Sequence, residues 1–228
     1  MQQNIDKIKI KLKKDFEVSG WDKILNPFFD SKQFDTITNK LSDLVEQDRR
    51  FTPKLKEAFI PFIETNISDL KVVIVDQDPY PQLGVADGLA FSCSKTNIPE
   101  KPLQYIFTEI YGEHEEYDYD LKRWANQGVL LINIALTCEI NKTGTHYDIW
   151  KPFTEYLFKK INEKDKNIIF VLMGRKTEHW QLLLPGQYVI KCPHPSSALY
   201  NNGIWNAEDI FGRINTELKK QEKAWIRW

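Results

Sequence analysis

The sequence predicts an α/β fold, a three-layer α/β/α sandwich around a central four-stranded parallel twisted sheet. Four short runs of apolar residues recur along the chain, and segments with apolar residues at helical spacing separate them. Strands that alternate with helices in this way form a parallel sheet covered on both faces. The first run, Val72 to Val75, is apolar and β-branched throughout, which is typical of a strand buried on both faces.

Polar, proline or glycine residues bound the four predicted strands. The first strand runs into DQDPYP, the second carries Asn133, the third stops at Gly174 and the fourth runs into PHPSS. In a parallel sheet the loops just past the carboxyl ends of strands are where ligands bind. We therefore expect strands at 72–75, 129–136, 168–173 and 188–192, with a site at their carboxyl ends.

The predicted helices occupy the segments before, between and after these strands. Residues 1–15 alternate lysine with isoleucine and leucine, which fits a packed helix or strand, or a loosely held basic arm. Gly128 is typical of a helix C-cap. Loops are expected at 97–102 and 113–120, and helices at 16–25, 31–46, 55–63, 103–112, 121–127, 150–161, 176–184 and 206–220.

Length and composition indicate an ordinary globular chain. Its 228 residues suit a single domain, 1–228, in which about residues 1–50 form a helical N-terminal extension. The net charge of −1 excludes a global basic field, so any DNA contact must come from a local patch. The chain contains no apolar run of about 18 residues, so no membrane span is expected, and its N-terminus lacks the apolar core of a signal peptide.

The cysteines favour a reducing compartment. Cys93, Cys138 and Cys192 are odd in number and widely spaced, with no C-x-x-C pair. This pattern predicts reduced thiols and argues against a zinc or iron–sulfur site. We expect a cytoplasmic protein if the source is bacterial or viral, and a nuclear location for a eukaryotic source or host.

Three polar residues fall at or near the carboxyl ends of predicted strands: Asp78, Asn133 and His194. An Asp can orient water, a His can donate to developing negative charge, and an Asn amide can recognise a planar base edge. Tyr80 and Phe91 would suit the walls of a flat slot. Taken singly, each residue has a plainer interpretation, since His194 lies between prolines, Phe91 fits a core and Asn133 fits a turn.

Four motifs taken together resemble one family. DQDPY, GLAFS, GVLLIN and HPSS occur in this order, and the chain resembles the uracil-DNA glycosylase superfamily, specifically its first family. The resemblance extends from about Phe51 to Leu218. It implies an enzyme that releases uracil from DNA and leaves an abasic site, as in base excision repair. It also implies no metal or cofactor.

The resemblance assigns catalytic roles to two residues. Asp78 matches the aspartate that activates water and stabilises the cationic sugar. His194 matches the histidine that donates a hydrogen bond to uracil O2 as negative charge builds. A preorganised donor of this kind lowers a barrier by roughly 2.7–4 kcal/mol.

Four further residues match positions that hold the base. Asn133 matches the residue that recognises the O4 and N3 edge and rejects cytosine, and Tyr80 matches the one that excludes thymine's methyl group. Phe91 matches the stacking aromatic, and the backbone of Gln77 helps to hold uracil. A base must leave the duplex before such a pocket can bind it, at a cost of a few kcal/mol.

The chain departs from the family motif on both sides of its best-matched residues. The motif usually reads Gly-Gln-Asp-Pro-Tyr-His, and here Asp76 replaces the glycine and Pro81 replaces the histidine. Two carboxylates close together would raise the pKa of one of them. Alternatively, the Asp76 side chain points away from Asp78.

Further departures fall on the expected DNA surface. Pro102 stands where the family has a phosphate-contacting serine, Arg175 replaces a serine, and Ala198 stands at the position of the intercalating leucine, with Leu199 next to it. Alanine is too small to wedge a base step, so our hypothesis is that Leu199 takes over this role. The expected DNA contacts are Ser92, Arg175, Ser196, Ala198 and Leu199, with Lys191, Arg213 and the N-terminal lysines as weaker candidates.

Two functions remain open at this stage. The leading one is uracil excision by a monomer acting on uracil-containing DNA, single- or double-stranded, with a proteinaceous glycosylase inhibitor as a further partner. The alternative is a glycosylase-fold DNA-binding or replication-accessory module with weak or no excision, which the departures keep open. A generic α/β hydrolase does not fit, because the chain has no G-x-S-x-G elbow.

Overall fold

The computed structural model describes residues 2–96, 98–112 and 118–228, with side chains from residue 5 onward. Short 3₁₀ segments occupy 179–183 and 195–200. The helices are α1 Gln2–Ser19, α2 Asp22–Phe29, α3 Lys32–Glu46, α4 Ile60–Glu64, α5 Lys101–Tyr111, α6 Lys122–Ala125, α7 Tyr147–Lys164, α8 Arg175–Glu178 and α9 Ile210–Lys220. The strands are β1 Phe51–Thr52, β2 Val72–Asp76, β3 Val129–Asn133, β4 Cys138–Glu139, β5 Ile169–Met173 and β6 Tyr188–Cys192.

The central sheet has four parallel strands in the order β3-β2-β5-β6, as the sequence predicts. Residues of β2, β3 and β5 are all buried, because helices cover both faces of these strands. A second sheet pairs β1 with β4 in antiparallel fashion. The sequence does not predict it, because two-residue strands carry no measurable periodicity.

Alternate residues of each central strand face opposite layers of helices. Val73 and Val75 pack in the core that includes residues of α1, α2, α3 and α7, whereas Val72 and Ile74 pack with residues of α5, α6 and α9. This period of two follows from the pleat of a β-strand. Helices therefore cover both faces of the sheet, which confirms the predicted three-layer α/β/α architecture.

The N-terminal segment is helical and packs on the core. Helix α1 buries Leu12 and Phe16 in the same core as the central sheet. The helix predicted at 16–25 is wrong, because the chain turns at Gly20, where φ is +76°. A Cβ at Gly20 would lie 2.8 Å from Ile67 Cγ2, so a glycine fits this close approach.

Among the described helices, none is both long and apolar enough to cross a bilayer.

Another predicted boundary changes. The strand predicted at 129–136 ends at Asn133, but Ile134 and Ala135 donate backbone hydrogen bonds to the carbonyls of Asp76 and Gln77. The apolar run thus continues beyond β3 as a loop, which is hydrogen-bonded to the last residue of β2 and to the residue after it. The loops predicted at 97–102 and 113–120 are described only in part, because residue 97 and residues 113–117 lie outside the described residues.

The three cysteines are buried and unpaired. Burial raises the pKa of the Cys138 and Cys192 thiols to about 12, with smaller contributions from nearby carboxylates. These thiols are therefore uncharged at neutral pH and pack as small apolar side chains.

The close approach at Gly128 gives a stability test. Its φ is +89°, and a Cβ there would lie 1.9 Å from the Asp69 carbonyl oxygen. We expect Gly128→Ala to lower the free energy of unfolding by more than about 2 kcal/mol, measured by urea denaturation. Gly84→Ala is the matched control, because its φ is +83° and its Cβ would meet no atom within 4 Å. Equal losses in both variants would show that φ alone, not the close approach, governs the cost.

Candidate active site

The carboxyl ends of β2 and β3 bring two polar side chains side by side. Asp76 and Asn133 are the last residues of these strands and are paired in the sheet register. Both are nearly inaccessible, at 5% and 3% exposure. Burial of two polar groups at the same edge costs free energy unless each has a partner, so their surroundings show what the site can do.

His194 reaches the same edge from the loop after β6. Although β5 lies between β6 and β2, His194 Nε2 lies 2.9 Å from Asp76 Oδ1. The ring passes over the end of β5 at Gly174, where a Cβ would lie 2.9 Å from His194 Cβ. Gly174 has a φ of +85°, so both the conformation and the contact favour glycine.

The hydrogen bonds of His194 define its tautomer. The Ser196 amide donates to Nδ1 at 3.1 Å, so the hydrogen of the neutral ring lies on Nε2 and points to Asp76. Burial lowers the pKa of His194, but the Asp76 and Asp78 carboxylates outweigh it and raise the pKa above its usual value. Protonation of Nδ1 would remove the Ser196 hydrogen bond, which opposes the effect of the carboxylates.

Asp78 lies beyond the end of β2 with one oxygen occupied and one free. Its Oδ2 accepts hydrogen bonds from Gln77 Nε2 at 2.6 Å and from the Gly144 amide at 3.0 Å. Its Oδ1 is buried and has no partner among the described residues. The two donors orient the carboxylate, and the free oxygen keeps its capacity to accept a hydrogen bond from water or substrate.

The surroundings raise the pKa of Asp78 to about 6. Burial is the largest cause, and the hydrogen bonds from Gln77 and Gly144 oppose it. The Asp76 carboxylate adds a smaller upward effect, while His194 lowers the pKa. The Asp76 carboxylate therefore does raise the pKa of Asp78, as one of the two sequence interpretations holds, although the Asp76 side chain itself contacts His194.

Asn133 presents an unused acceptor. Its Oδ1 is buried without a partner among the described residues. Such an atom costs about 1–3 kcal/mol, because it has lost water and gained nothing. A ligand N–H that reached this oxygen would recover that free energy.

Tyr80 and Phe91 are held together beside His194. The Tyr80 hydroxyl donates to the Phe91 carbonyl at 2.9 Å, and the Phe91 ring centroid lies 5.8 Å from that of His194. Burial raises the pKa of Tyr80 well above its usual value, so its hydroxyl stays protonated. Phe91 has a φ of +66°, which is rare for a bulky residue and costs on the order of 1–3 kcal/mol. Strain of this kind is concentrated at functional sites.

A cavity of about 450 Å³ opens at this edge of the sheet. This volume lies in the usual range for small-molecule sites. Asn133 and Phe91 do not line it directly and adjoin it through Asp76 and His194. The lining residues are Asp76, Gln77, Asp78, Pro79, Tyr80, Pro81, Gln82, Glu100, Lys101, Pro102, Thr143, His194, Ser196 and Leu199.

An open groove of about 610 Å³ shares His194 and Ser196 with this cavity. Arg175 and Lys191 supply positive charge to it, Glu178 adds one negative charge, and Tyr200 is 93% exposed at its edge. Leu199, which lines the neighbouring cavity, is 58% exposed. The groove thus carries cations, hydroxyls and an aromatic ring next to the buried site.

Two predicted DNA contacts are wrong for this structure. Ala198 is fully buried, and Ser92 is fully buried with its hydroxyl donating to Asp87 at 2.5 Å. Neither side chain can reach a ligand on the surface. The backbone amide of Ser196 donates a hydrogen bond to His194, so Ser196 also contacts the site through its backbone.

Two of the N-terminal lysines and Arg213 pair with carboxylates. Lys9 and Lys13 on α1 pair with Asp35 and Asp30 at 2.8 and 2.5 Å. Arg213 lies 3.7 Å from Glu208 and is not among the residues that line the groove. Within the described part of the chain, positive charge beside the cavity therefore comes mainly from Lys101, Arg175 and Lys191.

Sequence reasoning missed two glycines that shape the site. The Gly144 amide donates to Asp78, and Gly174 makes room for His194. Each lies in a polar loop after a predicted strand, which is a weak signal. Across the described residues, no group of three or more His, Cys, Asp or Glu side chains is placed to hold a metal ion.

Known proteins of one family are similar to this chain. The family model "Uracil DNA glycosylase superfamily" matches residues 62–219. Proteins named uracil-DNA glycosylase are similar to this chain over most of their length. That of Buchnera aphidicola subsp. Baizongia pistaciae is 34% identical over 92% of this chain and 96% of its own, and that of Christiangramia forsetii is 31% identical over 92% and 97%.

A solved structure shares the fold. The crystal structure of mimivirus uracil-DNA glycosylase superposes with a TM-score of 0.83 at 26% identity, covering 91% of this chain and 85% of that one. The fold and site define an α/β protein with a buried polar pocket at the carboxyl edge of a parallel sheet. The chain belongs to the uracil-DNA glycosylase superfamily.

The raised pKa of Asp78 predicts a stability effect. The folded state binds this proton more tightly than the unfolded state does, so the ionised carboxylate destabilises the fold above pH about 6. We expect Asp78→Asn to raise the free energy of unfolding by on the order of 1–2 kcal/mol at pH 8. The gain should shrink as pH falls through 6 toward 4, as measured by urea denaturation.

The matched control is Asp43→Asn, which removes the same charge from an exposed site on α3. It should leave the free energy of unfolding within about 0.5 kcal/mol of native at both pH values. A loss of stability in Asp78→Asn at pH 8 would contradict the burial of an unfavourable charge at this site.

Proposed function

We propose that this protein is a monofunctional DNA glycosylase that hydrolyses the N-glycosidic bond of a flipped-out deoxyuridine and leaves an abasic site. The observation that carries the proposal is the convergence of Asp78, Asn133 and His194 on one edge of the sheet, from three separate loops or strand ends. Family membership supports the same activity.

Asp78 is suited to the hydrolytic step. Gln77 and Gly144 orient its carboxylate, and its free Oδ1 can accept a hydrogen bond from the attacking water. With a pKa of about 6, it is mostly ionised at neutral pH. Its negative charge then stabilises the cationic sugar that forms as the glycosidic bond breaks, and the buried position strengthens this interaction.

His194 and Asn133 are suited to the base. The Nε2–H of His194 can donate to uracil O2 as negative charge develops there. Asn133 Oδ1 can accept from uracil N3–H, whereas cytosine offers a lone pair at N3. The mismatch would leave two acceptors facing each other, which is how a hydrogen-bonding site rejects an analogue.

The groove beside the cavity is suited to DNA. Arg175 and Lys191 can contact phosphates, and these contacts would make binding salt-dependent. Leu199 lines the cavity and is exposed, which supports a role in filling the gap left by a flipped base. For a monomer acting on double-stranded DNA, this surface would hold the strand while the base enters the pocket.

One observation favours a second candidate, a DNA-binding or replication-accessory module with weak excision. His194 Nε2 already donates to Asp76, at the position where the motif usually has glycine. An occupied donor weakens catalysis unless substrate displaces it. The assay below separates the two functions.

A proteinaceous inhibitor is a further partner that this proposal includes. A variant of mimivirus UNG has been solved in complex with UGI, at 26% identity to this chain and a TM-score of 0.82. The exposed apolar residues Leu199 and Tyr200, beside the cations of the groove, would form part of such a contact surface.

Excision is tested with a single-stranded oligonucleotide that carries one uracil, followed by alkaline cleavage of abasic sites. We expect the native protein to give strand breaks and Asp78→Asn to lower the rate by roughly 10²–10⁴-fold, because the water-orienting carboxylate is lost. Asp43→Asn should keep the native rate. Absence of breaks with the native protein would favour the binding module, and breaks that persist in Asp78→Asn would exclude its assigned role.

The role of Leu199 is tested by comparing duplex and single-stranded substrates. We expect Leu199→Ala to slow excision from duplex DNA by about tenfold and to leave single-stranded DNA nearly unaffected, because only a duplex needs the wedge. Leu182→Ala is the control, since Leu182 is 85% exposed and does not line either cavity. Equal losses on both substrates would exclude Leu199 as a wedge.

A further inference from the structure

Two hydrogen-bond donors converge on one oxygen of Asp76. The Gln77 amide lies 2.7 Å from Asp76 Oδ1, and His194 Nε2 lies 2.9 Å from the same atom. Two N–H groups at about 2.7–3.1 Å from a single point form the geometry of an oxyanion hole. In this structure a carboxylate of the chain itself occupies that point.

The site that these donors define opens into the cavity. Asp76, Gln77 and His194 all line the 450 Å³ space. The Asp76 side chain is nevertheless only 8% exposed, so its carboxylate depends on these hydrogen bonds to offset the loss of water. A charge-assisted pair of this kind is about twice as strong as a neutral one.

The inference rests on the proposed function, in which His194 contacts the uracil base, and on the role that the family resemblance gives to the Gln77 backbone. We propose that Asp76 occupies both donors in the free protein, and that uracil binds by displacing its carboxylate from them. Asp76 and a uracil oxygen cannot accept the same two hydrogens at once. The carboxylate therefore lowers the affinity for the base.

A supporting role for Asp76 would have the opposite consequence. If the carboxylate assisted His194 during the reaction, its removal would lower kcat, as removal of His194 itself does. Competition instead predicts tighter binding of the base after removal, with kcat equal to or above native. The sign of the change thus separates the two roles.

The experiment uses the full chain and free uracil as the probe. Asp76→Gly removes the carboxylate, and Asp76→Asn keeps its shape with a weaker, neutral acceptor. We expect Asp76→Gly to lower both the dissociation constant of uracil and the KM for a uracil oligonucleotide by roughly tenfold or more, and Asp76→Asn to shift both less in the same direction. Asp43→Asn, which removes a distant charge, should match native.

Two further measurements show whether the effect passes through His194. In the ¹H–¹⁵N spectrum, the hydrogen-bonded Nε2–H signal of His194 should change in Asp76→Gly and return toward its native position when uracil is added. In a His194→Ala background, Asp76→Gly should gain less uracil affinity than it does alone. An equal gain in both backgrounds would overturn the competition at His194.

The outcomes keep the inference apart from the proposed function. No excision by the native protein would overturn the function. Uracil affinities that are equal in native and Asp76→Gly, or a KM that stays constant while kcat falls, would overturn the competition by Asp76. Detectable uracil binding by Asp76→Gly, with none by the native protein, would support the competition by Asp76 most strongly.

Discussion

The contact between His194 Nε2 and Asp76 Oδ1 ties the site together across the sheet. It joins the loop after β6 to the end of β2, although β5 lies between these strands. The contact requires Gly174, because a side chain at the end of β5 would meet His194. The edge of the sheet thus brings into one place residues that lie more than a hundred positions apart in the chain.

Burial then gives each polar group its chemical character. The same low exposure that raises the pKa of Asp78 leaves its Oδ1 and the Asn133 Oδ1 without partners among the described residues. Together with the left-handed backbone of Phe91, these groups store free energy in the site. The two apolar layers of the sheet supply the stability that offsets this cost, as is usual where a fold carries a preorganised site.

Asp76 accepts hydrogen bonds from two groups at the position where the family motif usually has glycine. A glycine at this position would leave the His194 and Gln77 donors open to a ligand, whereas the carboxylate satisfies both within the protein. It also contributes to the raised pKa of Asp78. The Asp76 side chain therefore acts on both Asp78 and His194, through charge in one case and a hydrogen bond in the other.

The sequence by itself determined the four central strands, because continuous apolar runs indicate burial on both faces in β2, β3 and β5, and an apolar segment between helical segments indicated β6. The motifs around Asp78, Asn133 and His194 lie at or after the ends of three of these strands. Because parallel strands share one carboxyl edge, the sequence also predicted that these residues lie close together. Only the tertiary structure decided that Asp76 contacts His194, that Gly144 orients Asp78, and that Ala198 is buried while Leu199 is exposed. These depend on contacts between distant segments and on side-chain direction within irregular loops, which local periodicity does not encode.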